Sequence, residues 1–225
     1  MAFSMDNDTT TGYVRGINFN KGVAYNRPYS FSCQFYPIGV SGSGRVITSL
    51  FTTASGSHRL SFAVNTSDKL IFTERHSGIT TTTSTASVNF NAWNSAQFTI
   101  SSGQPPARRL YLNGNTPVTN DASNYLVNSP NNWILGASWV SYAISPTYVG
   151  YIQDFAVWNA VLTDDECYAL SKGISPRLVR TSDLTIHVPG IRNITEVMGA
   201  PDISNDATGI TYVGTSIVNN QRRYG

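Results

Sequence analysis

Three glutamates, Glu74, Glu166 and Glu196, are the first residues to weigh for chemistry. A retaining glycosidase needs two carboxylates about 5 Å apart, usually on one strand face. Its signature would be a Glu-x-Asp-x-x-Glu run, and the sequence has none. The residues therefore predict no catalytic dyad and no enzyme. There is also no nucleophile motif and no phosphate loop. His58, His76 and His187 lie far apart without metal-ligand spacing. His76, just after Glu74 and Arg75, reads as a solvated turn. Calcium wants six to eight oxygens with clustered charge. Asp68, Asp121 and Asp154 are candidates for it but form no cluster in sequence. No cofactor is expected, with calcium left open. Cys33 and Cys167 fit no zinc or redox spacing and read as buried thiols, with a bridge between them left open.

Sugar recognition asks for exposed aromatic rings beside amide and carboxylate groups. Trp93, Trp139, Tyr142 and Tyr148 lie in or beside loop-like stretches, and Trp93, Trp139 and Tyr142 are the candidate glycan-binding residues. The competing reading is that such rings fill the core or a subunit interface, where both residue types are common. Net charge is only +2, and the two arginine pairs, 108–109 and 222–223, are too small to track a phosphate backbone. Each pair reads as a solvated face or a subunit contact. No nucleic acid partner is expected.

Charged residues are 12% of the chain and aromatics another 12%, so the surface must be made by Ser, Thr, Asn and Gly. That balance suits hydroxyl-rich strands rather than disorder. Residues 29–35 alternate strictly, with Tyr29, Phe31, Cys33 and Phe35 on one face, which predicts a half-buried strand. Further strands are expected at 45–51, 58–64, 69–74, 88–90, 96–101, 108–112, 133–136 and 148–158. Residues 65–68 and the Asn113-Gly114 pair read as turns. The 148–158 run is apolar on both faces, Ile152, Ala156 and Trp158 against Tyr151, Phe155 and Val157, and is expected mid-sheet. The Thr-rich stretch 79–87 reads as a sheet edge or loop. Thr163 followed by Glu166 is a capping box. With Gly173 as a stop and Pro176 beyond it, a helix is expected over 164–172. Leu184 to Val188 makes one more strand. Many short strands and one late helix predict an all-β, two-sheet antiparallel jelly-roll sandwich.

The run Gly150, Ile152, Asp154, Trp158-Asn159, Leu162, Thr163 and Glu166 resembles the closing segment of concanavalin A-like, laminin-G-like jelly rolls. Residues 31–35 resemble that family's first core strand, and Tyr111-Leu112-Asn113-Gly114 its hairpin. The continuation from Leu170 to Arg180 into 184–189 resembles the tail of laminin-G-like proteins from bacteriophages. The resemblance implies structural roles for Asp154, Thr163 and Glu166, with Asp154 accepting backbone N–H bonds near the helix.

Three segments are expected: an N-terminal arm at 1–10, the jelly roll at 11–175 and a C-terminal extension at 176–225 that packs on the jelly roll or on neighbouring subunits. The N-terminus has no secretory pattern and no run approaches a membrane span, so synthesis in a cytoplasm and residence in a virion are expected. The main functional expectation is a capsid decoration (cement) subunit. Its partners would be the major capsid protein or other virion subunits, and a homo-oligomer such as a trimer. The alternative is a glycan-binding tail or fibre module that recognises a host surface.

Overall fold

The computed structural model describes residues 2–5, 14–17, 28–39, 44–52, 55–75, 78–103, 105–121, 132–140, 143–146, 148–189, 202–204 and 210–213. In chain order the strands are β1 (Ala2–Met5), β2 (Val14–Ile17), β3 (Tyr29–Pro37), β4 (Arg45–Thr52), β5 (Ser55–Val64), β6 (Lys69–Arg75), β7 (Ile79–Ser87), β8 (Asn94–Ile100) and β9 (Arg108–Leu112). They continue as β10 (Val118–Asn120), β11 (Asn132–Leu135), β12 (Ala137–Val140), β13 (Ala143–Pro146), β14 (Gly150–Trp158), β15 (Leu184–Val188), β16 (Asp202–Ser204) and β17 (Ile210–Val213). Helix α1 (Asp164–Ser171) and a 3-10 turn (Pro176–Leu178) lie between β14 and β15. The protein is an all-β antiparallel jelly-roll sandwich with one short late helix. One sheet runs β10-β9-β8-β3-β14-β1-β17 with β15 also beside β14, and the other runs β16-β2-β11-β4-β5-β6-β7. A separate hairpin pairs β12 with β13.

The two sheets close on a core made by alternate residues of each strand. Tyr29, Phe31, Cys33 and Phe35 of β3 meet Leu60, Phe62 and Val64 of β5 and Leu70 and Phe72 of β6. The outer face of β3, expected to meet water, is covered over much of its length. Ser30 Oγ donates to Ala160 O at 2.7 Å and accepts from Leu162 N at 2.9 Å, and Gln34 Nε2 donates to Leu170 O at 2.9 Å. The α1 layer thus satisfies the polar face of the strand, so polarity there does not mean solvation. Under the helix a second apolar cluster gathers Tyr111, Ala156, Trp158, Leu162, Cys167, Leu170 and Val179.

Strand β14 corrects one expected pattern. Its pairing with β3 slips between Gln153 and Ala156, and Asp154 takes φ +49°. This bulge inserts one residue and reverses the side-chain alternation. Ile152 therefore joins Phe155 and Val157 in the inter-sheet core, while Ala156 and Trp158 face the helix. The 88–90 stretch, expected as a strand, is a loop. Asn94 clamps it by accepting from Asn89 N at 3.0 Å and donating to Asn89 O at 2.7 Å. The Thr-rich run is β7, the strand at one end of its sheet, with Thr80, Thr82 and Ser84 turned inward.

Ala2–Met5, within the segment expected to reach neighbours as an arm, pairs instead with β14 and β17 of the same chain. From the 176–225 segment, β15 pairs with β14 and β16 with β2. Cys33 and Cys167 are both buried free thiols, one in each apolar cluster, so the bridge left open by the sequence is absent.

Candidate functional site

The helix that lies over the outer sheet face begins at the expected cap. Thr163 Oγ1 accepts from Glu166 N at 3.2 Å, and Thr163 N donates to Glu166 Oε2 at 2.7 Å. Arg180 Nε adds a bond to Glu166 Oε1 at 2.7 Å. Partial burial pushes the Glu166 carboxyl up, but Arg180 and the Thr163 amide and hydroxyl outweigh it and hold the group below its ordinary range. Gly173, at φ +86°, stops the helix as expected.

Asp154 was expected to bind backbone N–H groups near this helix. Its carboxylate meets a side chain of β15. His187 Nε2 lies 3.2 Å from Asp154 Oδ1, and Arg177 Nε donates to His187 Nδ1 at 3.2 Å. Because Nδ1 accepts, the ring proton sits on Nε2 and points at Asp154. The aspartate therefore ties the bulge of β14 to the strand that follows the helix.

The arginine pair also divides. Adjacent residues of a strand point to opposite faces. Arg109 faces outward and donates to Asp164 Oδ1 at 2.6 Å. Arg108 is fully buried between the sheets and ion-paired with Glu74, which also accepts from Tyr29 Oη at 2.9 Å. Burial pushes the Glu74 carboxyl up, opposed by Arg108. Neither arginine-as-solvated-face expectation holds for Arg108. Asp68 lies in the β5–β6 turn, Asp121 is exposed after β10, and Asp154 is in the bulge. Among the described residues no group of three or more His, Cys, Asp or Glu side chains could hold a metal ion.

Of the aromatic candidates, Tyr148 is core, 1% exposed. Trp139 lies on β12 with its backbone opposite Ile144, and only its backbone is described; Tyr142 lies outside the described residues, as do His76 and the second arginine pair. Trp93 is different. It is half-buried just ahead of β8, and its ring meets two others: Tyr36 at 5.7 Å and Tyr151 at 6.5 Å between centroids. Tyr36 and Tyr151 are directly opposed in register and 5.4 Å apart. All three rings are half-buried and the planes are tilted, so they form a faceted patch at one end of the outer sheet face.

Polar groups border the patch. Gln153, two residues from Tyr151 on the same face and opposite Gln34, is 9% exposed, and its Oε1 has no hydrogen-bond partner among the described residues. A buried acceptor left unpaired costs about 1–3 kcal/mol. On the other side of Trp93, Asn113 Nδ2 donates to Asn94 Oδ1 at 3.1 Å and Asn113 Oδ1 accepts from Ser95 N at 2.8 Å. This pins the Asn113-Gly114 turn, with both residues at positive φ, to the start of β8. The sequence reading missed Tyr36, Tyr151 and Gln153. Tyr36 carries a signal, since it shares parity with the polar face of β3 and so cannot point into the core.

Comparison with known proteins follows the same lines. The profile of the Concanavalin A-like lectin/glucanases superfamily (Laminin_G_3) matches residues 7–167. The chain belongs to this superfamily. Comparison with curated proteins gives no match. Among solved structures, a native heptameric SAP-like pentraxin from Limulus polyphemus is similar at TM-score 0.62 and 12% identity, covering 90% of this chain and 93% of that one. The Ruminococcus gnavus IT-sialidase CBM40 bound to alpha2,3 sialyllactose aligns at TM-score 0.58 and 13% identity, over 75% of this chain and 97% of the other. A putative carbohydrate binding protein from Bacteroides ovatus aligns at TM-score 0.64 and 14% identity, over 95% and 60%. At identities this low the similarity shows a shared fold alone.

Proposed function

We propose that this protein is a non-enzymatic glycan-binding module. The observation that carries the reading is the half-buried Tyr36–Trp93–Tyr151 patch. A sugar presents a C–H face that packs on an aromatic ring and a rim of hydroxyls that bond to polar groups beside it. Tyr and Trp suit this because they join a large apolar body to a polar tip. Strand pairing fixes Tyr36 and Tyr151, and Trp93 packs against both rings, so little ordering entropy opposes binding.

The relatives favour this alternative over capsid decoration, since one is a sialyllactose-bound module and another is described as a carbohydrate binding protein. A place on a phage tail or fibre remains part of the proposal and rests on the resemblance of residues 170–180. Oligomer formation is also proposed, supported by the heptameric pentraxin relative. Screening the purified chain on immobilised glycans tests the reading. The wild type should retain a defined set of glycans. Trp93→Ala should lose them while its thermal transition stays within a few degrees.

A further inference from the structure

Beyond the Asn94–Asn113 bridge the same end of the sheet opens into a cleft of about 280 Å³ between the β9–β10 turn and α1. Tyr111, Gly114, Asn115, Thr116, Pro117, Asp164, Asp165 and Tyr168 line it. We propose that this cleft is a second sugar subsite, for uncharged or amino sugars, so that one extended oligosaccharide lies from the Trp93 patch to Tyr168. The proposal rests on the glycan-binding reading and adds to it a second position and a chain length.

Four observations carry it. First, Tyr168 is 52% exposed and forms part of the cleft wall, which leaves its ring available to a sugar face. Lys172 Nζ sits 4.7 Å from the ring centroid and helps hold it in place. Second, the cleft is shaped by close approach. A Cβ on Gly114 would stand 2.5 Å from Ser171 Oγ and 3.2 Å from Tyr168 Cδ2, and φ there is +72°. Only glycine lets the turn and the helix form this wall. The volume approaches the ~300 Å³ lower bound of small-ligand pockets, enough for a single ring.

Third, the polar lining matches hydroxyls and amines. Asn115 and Thr116 are exposed. Asp164 Oδ1 is fixed by Tyr111 Oη at 2.8 Å and Arg109 Nη1 at 2.6 Å, which neutralises its charge. The Asp165 carboxylate is exposed and paired with no cation among the described residues. The Asp165 carboxylate accepts from hydroxyls or an ammonium, while the Lys172 ammonium beside Tyr168 balances its charge, so the lining suits hydroxyls and amines. Fourth, patch and cleft share one end of the sheet. Tyr151 on β14, Tyr36 on β3, Trp93 at the start of β8 and Gly114 after β9 follow four neighbouring strands in order. Three inter-strand spacings of about 4.8 Å give about 14 Å, the reach of several linked sugar rings.

Titration calorimetry with N-acetylglucosamine and glucosamine oligomers of one to four units, glucose tetramer and 3′-sialyllactose tests the idea on wild type, Trp93→Ala, Tyr168→Ala and Asp165→Asn. Tyr168 and Asp165 are surface groups, so both variants should fold. Affinity for an uncharged or amino oligomer should rise about tenfold from one unit to four, roughly 1.4 kcal/mol. Tyr168→Ala should abolish that rise and leave single-unit binding unchanged. Asp165→Asn should weaken the glucosamine tetramer selectively. Length-independent binding or an ineffective Tyr168→Ala would overturn the second subsite. Loss in Trp93→Ala alone would leave the glycan-binding reading standing without the cleft. Binding of none of these probes by the wild type would remove both.

Discussion

Replacing Glu74 by glutamine probes how the sandwich is closed. The Arg108 side chain is 0% exposed and that of Glu74 2%, with one residue contributed by each sheet. Glutamine keeps an acceptor for Tyr29 Oη but leaves the guanidinium charge uncompensated in the core. Breaking such a pair on one side costs about 3–5 kcal/mol. For a chain of this size each kcal/mol moves Tm by about 2–4 °C, so Tm should fall by roughly 6–20 °C. Urea unfolding followed by near-ultraviolet circular dichroism measures the loss. The paired change Glu74→Met with Arg108→Met removes both charges and should recover much of it. A Glu74→Gln variant within about 1 kcal/mol of the parent, the value of an exposed pair, would refute the reasoning.

Three smaller outcomes follow from the helix and the cysteines. Thr163→Ala removes the cap and should cost about 1 kcal/mol, read as a lower Tm. Glu166, held below its ordinary range, stabilises the fold fully above its unperturbed value of 4.5, and this contribution is lost as pH falls through the lower folded value. The parent should therefore lose its advantage over Glu166→Gln on acidification, as acid titration of Tm would show. Burial pushes the Cys33 thiol up strongly and Cys167 up to about 12, so neither should react with a disulfide reagent until the chain unfolds. Rapid labelling of the native protein would contradict that burial.

What the sequence reveals here is local. Thr163 and Glu166 lie three residues apart, so the cap is legible without tertiary information. The alternation of β3 correctly names its core residues, but not the helix that covers Ser30 and Gln34 from more than 100 residues away. The bulge at Asp154 hides because one left-handed residue reverses parity without changing composition. Ile152 and Phe155, three apart yet both inward, are its only trace. Arg108 and Arg109 look like one feature because they are adjacent, although a strand sends them to opposite faces. The aromatic patch is least legible, since Tyr36, Trp93 and Tyr151 come from three places that only sheet pairing brings together.

The central claim concerns that patch, and side-chain NMR tests it most directly. A glycan retained in the screen would be titrated into isotopically labelled protein. The account predicts shifts at the Trp93 indole N–H, the Gln153 carboxamide and the Tyr36 and Tyr151 rings, saturating together. Shifts confined to other surfaces, with these four groups unmoved, would contradict it.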